Sequence, residues 1–159
     1  SMMTSPKVIV MDEPSTGLDP QSRNRVWEEL AVLKDAGVTV LLSTHYMEEA
    51  TILCDRLSIM DNGKILDEGT PDLMIERHAP KEVAQLRVAP GALRTVRDYL
   101  TEREITYREV GALVSVTGLN GDRPDLSGLS DVEGVRTSYR AGNLEDVFLA
   151  ITGRELREV

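Results

Sequence analysis

Cysteine, aromatic residues and positive charge are all scarce in this sequence. Of its 159 residues one is cysteine, and only 4% are aromatic. Cys54 alone cannot close an internal disulfide, and its spacing from His45 and His78 matches no zinc-binding set, so a reducing, cytoplasmic compartment is expected. Lys and Arg number 18 against 27 Asp and Glu, a formal charge of -9. That balance lacks the basic footprint that neutralises phosphates along a nucleic acid, so no nucleic-acid partner is expected. No apolar run approaches the roughly 18 residues that a membrane span needs, so no direct membrane insertion is expected and any membrane role is indirect.

The negative charge is unevenly distributed. Residues 1–79 carry 7 basic and 14 acidic groups, a net of -7, and residues 80–159 carry 11 and 13, a net of -2. The two halves also differ in rhythm. In the first, Lys7 to Met11 is a continuous apolar run, the pattern of a strand buried on both faces of a parallel sheet. It ends in Asp12-Glu13-Pro14, and the turn formers of 15–20 lead into a helix to about Asp35, with Asp19 as N-cap and Pro20 at the first helical position. Gly37 stops that helix, Val38 to Leu42 reads as a second strand with Ser43-Thr44-His45 as its exit, and Met47 to Leu53 reads as a second helix. Strand, helix, strand, helix is the order of a right-handed parallel α/β sheet. Asp61-Asn62-Gly63 suits the positive φ of a hairpin turn, and a short helix from Thr70 closes the first domain, expected to span 1–80.

The second domain, 81–159, alternates differently. Val83 to Val88 reads as a strand, Pro90 to Arg103 as a helix, 105–109 and 113–117 as two strands, Val135 to Tyr139 as a fourth, and 143–152 as a helix. That order fits a small α+β, ferredoxin-like split βαβ layout.

An acidic pair at the carboxyl end of a parallel strand lies where open α/β sheets place ligands. Adjacent residues diverge as a strand ends, so one of Asp12 and Glu13 can hold Mg²⁺ through its water shell while the other polarises a water. The exit of the next strand brings His45 into the same crevice. Two carboxylates, a metal and an imidazole suit phosphoryl chemistry. A lone Asp-Glu is ordinarily a solvated turn, a lone His a structural one, and Glu48-Glu49 is most simply a solvated helical face.

The block Val8-Ile9-Val10-Met11-Asp12-Glu13-Pro14 followed by Ser15-Thr16-Gly17-Leu18-Asp19-Pro20 resembles the Walker B strand and D-loop of ABC transporter ATPases. Ser43-Thr44-His45 resembles their H-loop, 55–69 the hairpin that follows it, and 143–149 the tail of ABC-2 and drug-exporter subunits. The resemblance implies that Asp12 holds the Mg²⁺ shell, that Glu13 is the general base for ATP hydrolysis, and that His45 contacts the γ-phosphate. It further implies that Asp19 and the loop around Ser15 face a second nucleotide-binding subunit across a head-to-tail dimer. The implied setting is cytoplasmic, peripheral to the inner face of the membrane, on a separate transmembrane permease.

A P-loop needs Gly-x-x-x-x-Gly-Lys-Ser/Thr, because successive backbone N–H groups cradle the phosphates. The one Gly-Lys pair, Gly63-Lys64, has Ser58 in place of the first glycine and Ile65 after the lysine, inside a hairpin turn. Leu126-Ser127-Gly128-Leu129 departs from the family's signature loop at its fourth position and follows His45 instead of preceding Walker B. The expectation is therefore the C-terminal portion of an ABC ATPase, a partial parallel P-loop NTPase sheet plus the small second domain. Alone it is expected neither to bind ATP tightly nor to hydrolyse it. It is also expected to expose a sheet edge and an apolar face, and to homodimerise over them. A receiver-like signalling domain would need a further acidic pair on an earlier strand and a Lys after a later one, and neither is in place. A stand-alone ligand- or protein-binding module is the other reading of the second half.

Overall fold

A computed structural model describes residues 6–118 and 123–153. The chain divides into two compact units between Pro71 and Asp72. The sequence reading draws its boundary at 80, so the short helix at 71–78 packs with the unit after the division rather than before it.

In the first unit, β1 (Val8–Asp12), α1 (Pro20–Asp35), β2 (Thr39–Ser43) and α2 (Met47–Leu53) precede a hairpin of β3 (Leu57–Asp61) and β4 (Lys64–Gly69). β1 and β2 pair in parallel, from Val8 opposite Thr39 to Asp12 opposite Ser43. The helix between them starts and stops where its capping chemistry dictates. Asp19 accepts from the amides of Gln21 and Ser22 at 3.0 and 2.9 Å, and Pro20 gives up no needed donor. At the other end Gly37, at φ 83, donates to the Lys34 carbonyl and Val38 to that of Leu33, a Schellman closure. α1 packs on β2 and α2, burying Trp27 and Leu30. In the hairpin Asn62 and Gly63 both take positive φ, as the sequence predicts, and Ile59 is buried.

One expectation fails here. β1 is not buried on both faces: Val8 is 57% and Val10 72% exposed, with Leu41 of β2 at 62%. The helices of this unit cover one side of a two-stranded sheet, so alternate residues face outward. The same fact meets the expectation of an exposed apolar face.

The second unit opens with α3 (Pro71–His78), followed by β5 (Glu82–Val88), α4 (Leu93–Glu102), β6 (Tyr107–Val110), β7 (Leu113–Thr117), β8 (Val135–Ala141) and α5 (Leu144–Thr152). Its four strands lie in the order β6-β7-β5-β8, every neighbour antiparallel. Among the described residues between β7 and β8 lies a 3-10 turn at Ser127–Leu129. Leu86, Val88, Val96, Leu100, Val114 and Val116 form the centre of one continuous core. α5 begins in a reciprocal capping box: Asn143 accepts from the Asp146 amide at 3.1 Å, and Asp146 accepts from the Asn143 amide at 2.9 Å. Arg140 grips the same Asp146 carboxylate through both terminal nitrogens. Just before the cap, a side chain at Gly142 would meet the Pro80 carbonyl at 2.1 Å, so only glycine fits.

Candidate functional site

The parallel pairing of β1 and β2 brings Asp12 directly beside Ser43, and the chain then diverges on both strands. Parallel strands end at the same side of a sheet, so residues leaving them share one crevice mouth. Asp12 accepts a short hydrogen bond from the Ser43 hydroxyl. Glu13 donates its amide to the Ser43 carbonyl at 3.0 Å, continuing the ladder by one rung, and takes φ 46. A non-glycine residue in the left-handed region costs about 1–3 kcal/mol, and such residues cluster where a side chain is being aimed. Here the aim is visible. Glu13 Oε2 accepts from the Thr16 hydroxyl at 3.0 Å, while Oε1 lies 3.2 Å from His45 Nδ1. Asp12 and Glu13 are both exposed and His45 is about a quarter exposed, so the group opens to solvent.

The structure thus brings Asp12, Glu13 and His45 together. Ser15 and Asp19 lie on the loop that follows, in different surroundings. Ser15 is fully buried, and its Oγ has no hydrogen-bond partner among the described residues, so the hydroxyl is enclosed by protein rather than offered to a ligand. Asp19 is exposed, but its carboxylate is engaged by the Ser22 hydroxyl at 2.7 Å and by two helix amides. The Ser22 hydroxyl and amide hold it below the usual carboxylate range.

Sequence reasoning missed several contributors. Ser43 and Thr16 anchor the two carboxylates, and the in-register pairing of the strand ends and the three-residue spacing from Glu13 are the signals that find them. The reading of Glu49 as a solvated residue is wrong: it is fully buried, with Oε1 accepting from Trp27 Nε1 at 2.9 Å. A lone tryptophan on a packed helix face needs an acceptor for its N–H, and that need was the available clue.

The donor set suits a hard cation. Carboxylate and hydroxyl oxygens at Asp12 and Ser43 match Mg²⁺, which binds through one or two carboxylates and keeps waters and substrate phosphates for its other positions. No cluster of three or more His, Cys, Asp or Glu able to cage a metal occurs among the described residues. A nucleotide fits only in part. The sequence's one Gly-Lys pair, Gly63-Lys64, lies in the β3–β4 turn and not at the start of a helix.

No family model matches the chain. Among curated proteins it is 39% identical over 99% of its length to the Nod factor export ATP-binding protein I of Cupriavidus metallidurans, covering 51% of that protein. Its counterpart in Cupriavidus pinatubonensis is 40% identical, again over 99% of this chain and 48% of the relative. That of Mesorhizobium japonicum is 38% identical over 99% of this chain and 46% of the relative. The chain therefore spans about half the length of the curated relatives it matches. Among solved structures, an ATP binding subunit of an ABC transporter is 34% identical over 46% of this chain and 30% of its own, at a TM-score of 0.42. A subunit from Clostridium perfringens described as part of an ABC transporter complex is 26% identical over 61% of this chain and 37% of its own, at a TM-score of 0.38. Nothing in these similarities supports a receiver-like domain.

Proposed function

We propose, from the premise that the chain belongs to the ATP-binding subunits of ABC transporters over the half of their length it spans, that it supplies the water- and metal-facing side of an ATP-hydrolysing site. One observation carries the reading: two adjacent carboxylates and an imidazole converge where two parallel strands end, with the second carboxylate held 3.2 Å from the imidazole.

In this reading the residues divide the work by position. Asp12, fixed by Ser43, holds Mg²⁺ through its water shell, and the ion when bound supplies positive charge to the phosphate oxygens. Glu13, braced by Thr16, orients an attacking water and takes its proton. His45 sits on the other side of Glu13, where it can donate to a phosphoryl oxygen or keep the carboxylate aimed. Thr16 and Ser43 position and do not react. The phosphate-binding groups come from a Gly-rich loop outside these residues.

The broader setting follows from the family. Asp19 and the loop around Ser15 face a second nucleotide-binding subunit, a transmembrane permease receives the work of hydrolysis, and the assembly stands on the cytoplasmic side of a membrane exporting a cargo the permease selects. No helix among the described residues is long and apolar enough to cross a membrane, so crossing falls to the permease in this reading. The exposed Val8, Val10 and Leu41 give a second copy a surface to cover. Residues 1–80 are the nucleotide-binding portion and 81–159 a regulatory or dimerising domain. The order β6-β7-β5-β8 with α4 after β5 supports a ferredoxin-like reading of the latter, with the 3-10 turn at Ser127–Leu129 where a second helix would stand.

Phosphate release from MgATP by the purified chain tests the division of labour. It is expected to remain at background, and turnover that disappears on Glu13→Gln would overturn it.

A further inference from the structure

Glu49 is the buried acidic side chain that the ATPase reading leaves unused. It is fully enclosed on α2, with Oε1 bonded to the indole of Trp27 and Oε2 lacking a hydrogen-bond partner among the described residues. A carboxyl group so placed is a poor source of stability, because one hydrogen bond does not replace the water it gave up. Its value lies in what it aligns. Trp27 is on α1, and one turn earlier the Arg23 guanidinium lies over the Tyr46 ring, 4.6 Å from its centroid. Residues 23 and 27 share a face of α1, and residues 46 and 49 share a face at the start of α2, so the two contacts form successive rungs between the helices. The upper rung touches the site directly: the rings of Tyr46 and His45 lie 4.2 Å apart.

We propose that Glu49 is a positioning residue, which through Trp27 sets the start of α2 against α1 and thereby holds His45 at Glu13. The consequence for catalysis rests on the reading of Glu13 and His45 given above; the mechanical coupling does not. α1 emerges from the loop 13–18 that carries Glu13 and Thr16, and α2 emerges directly from His45, so a fixed angle between the helices fixes the two side chains relative to each other. A neutral apolar side chain at 49 would fill the space without specifying the rotation, because it has no directional bond to the indole.

The test is nuclear magnetic resonance on the isotopically labelled chain as it stands. It has two histidines, His45 and His78, and Trp27 as its one indole, so each signal is assignable. Glu49→Leu is expected to displace the ring signals of His45 and to shift the Trp27 Nε1–H signal toward that of an unbonded indole. Trp27→Phe, which removes the donor and keeps an aromatic ring, is expected to displace His45 likewise. Glu49→Gln retains an oxygen that accepts from the indole and is expected to restore His45 close to its original signals, with His78 unmoved throughout. Unmoved His45 signals in both Glu49→Leu and Trp27→Phe would overturn the proposal, as would a Glu49→Gln chain in which the indole bond persists and His45 is still displaced. If Glu49→Leu fails to fold, Trp27→Phe and Glu49→Gln decide alone. The readout contains no nucleotide, so a failure of the ATPase reading leaves this result standing, and the reverse.

Discussion

Asp19 shows how one side chain near the site is already spoken for by its own backbone. Its carboxylate accepts three hydrogen bonds at the start of α1, two from amides and one from the Ser22 hydroxyl. Asp19→Ala leaves those amides to water and is expected to cost about 1 kcal/mol, with Asp19→Asn retaining most of the cap. Urea unfolding followed by the fluorescence of Trp27, which lies in the same unit, reads that loss. The sign of its pH dependence follows from the lowered pKa of Asp19. A carboxylate held below its unfolded value stabilises fully above that value and loses its contribution as pH falls through the folded one. The difference between wild type and Asp19→Ala is therefore expected to be constant near neutrality and to shrink in acid. This cap was legible from Asp19-Pro20 alone, since capping is local chemistry. Glu49 was not, because its partner is 22 residues away and only the packing of two helices brings them together.

At the scale of elements, local signals predicted most of what formed. The Asn62-Gly63 turn, the Gly37 stop and the Asn143 start all appear where their backbone preferences require. The burial of β1 was misread, because an unbroken run of Val, Ile and Met reports affinity for a core and not whether one exists on both sides. The α4 helix carries the clearest energetic weight in the second unit. Val96 and Leu100 on its inner face are fully buried against the strands, whereas Arg97 on its flank reaches across to Glu109 of β6 at 2.5 Å from a partly exposed position. The first kind of contact dominates: Leu100→Ala is expected to cost about 2–5 kcal/mol. An exposed ion pair contributes about 1 kcal/mol or less, even where Arg97 holds Glu109 below the usual carboxylate range. Far-ultraviolet circular dichroism during thermal unfolding is expected to show the unit that follows Pro71 melting early in Leu100→Ala.

For the whole molecule, the charge asymmetry of the sequence fits the proposed function. The first 79 residues carry -7 of the net charge of -9, and they include the carboxylate pair that an Mg²⁺-phosphate substrate would face in the proposed function. The basic, Gly-rich surface that would meet those phosphates is not among the motifs of this sequence, and the matched relatives are about twice as long. In the proposed function Glu13 acts on the water of ATP hydrolysis and is dispensable for holding nucleotide. A chimaera joining the phosphate-binding half of a matched relative to this chain measures it directly, by ATP turnover and ATP binding with and without Glu13→Gln. The substitution is expected to lower turnover by about 10²-fold or more and to leave ATP binding intact. Turnover unchanged by Glu13→Gln in an active chimaera would contradict it.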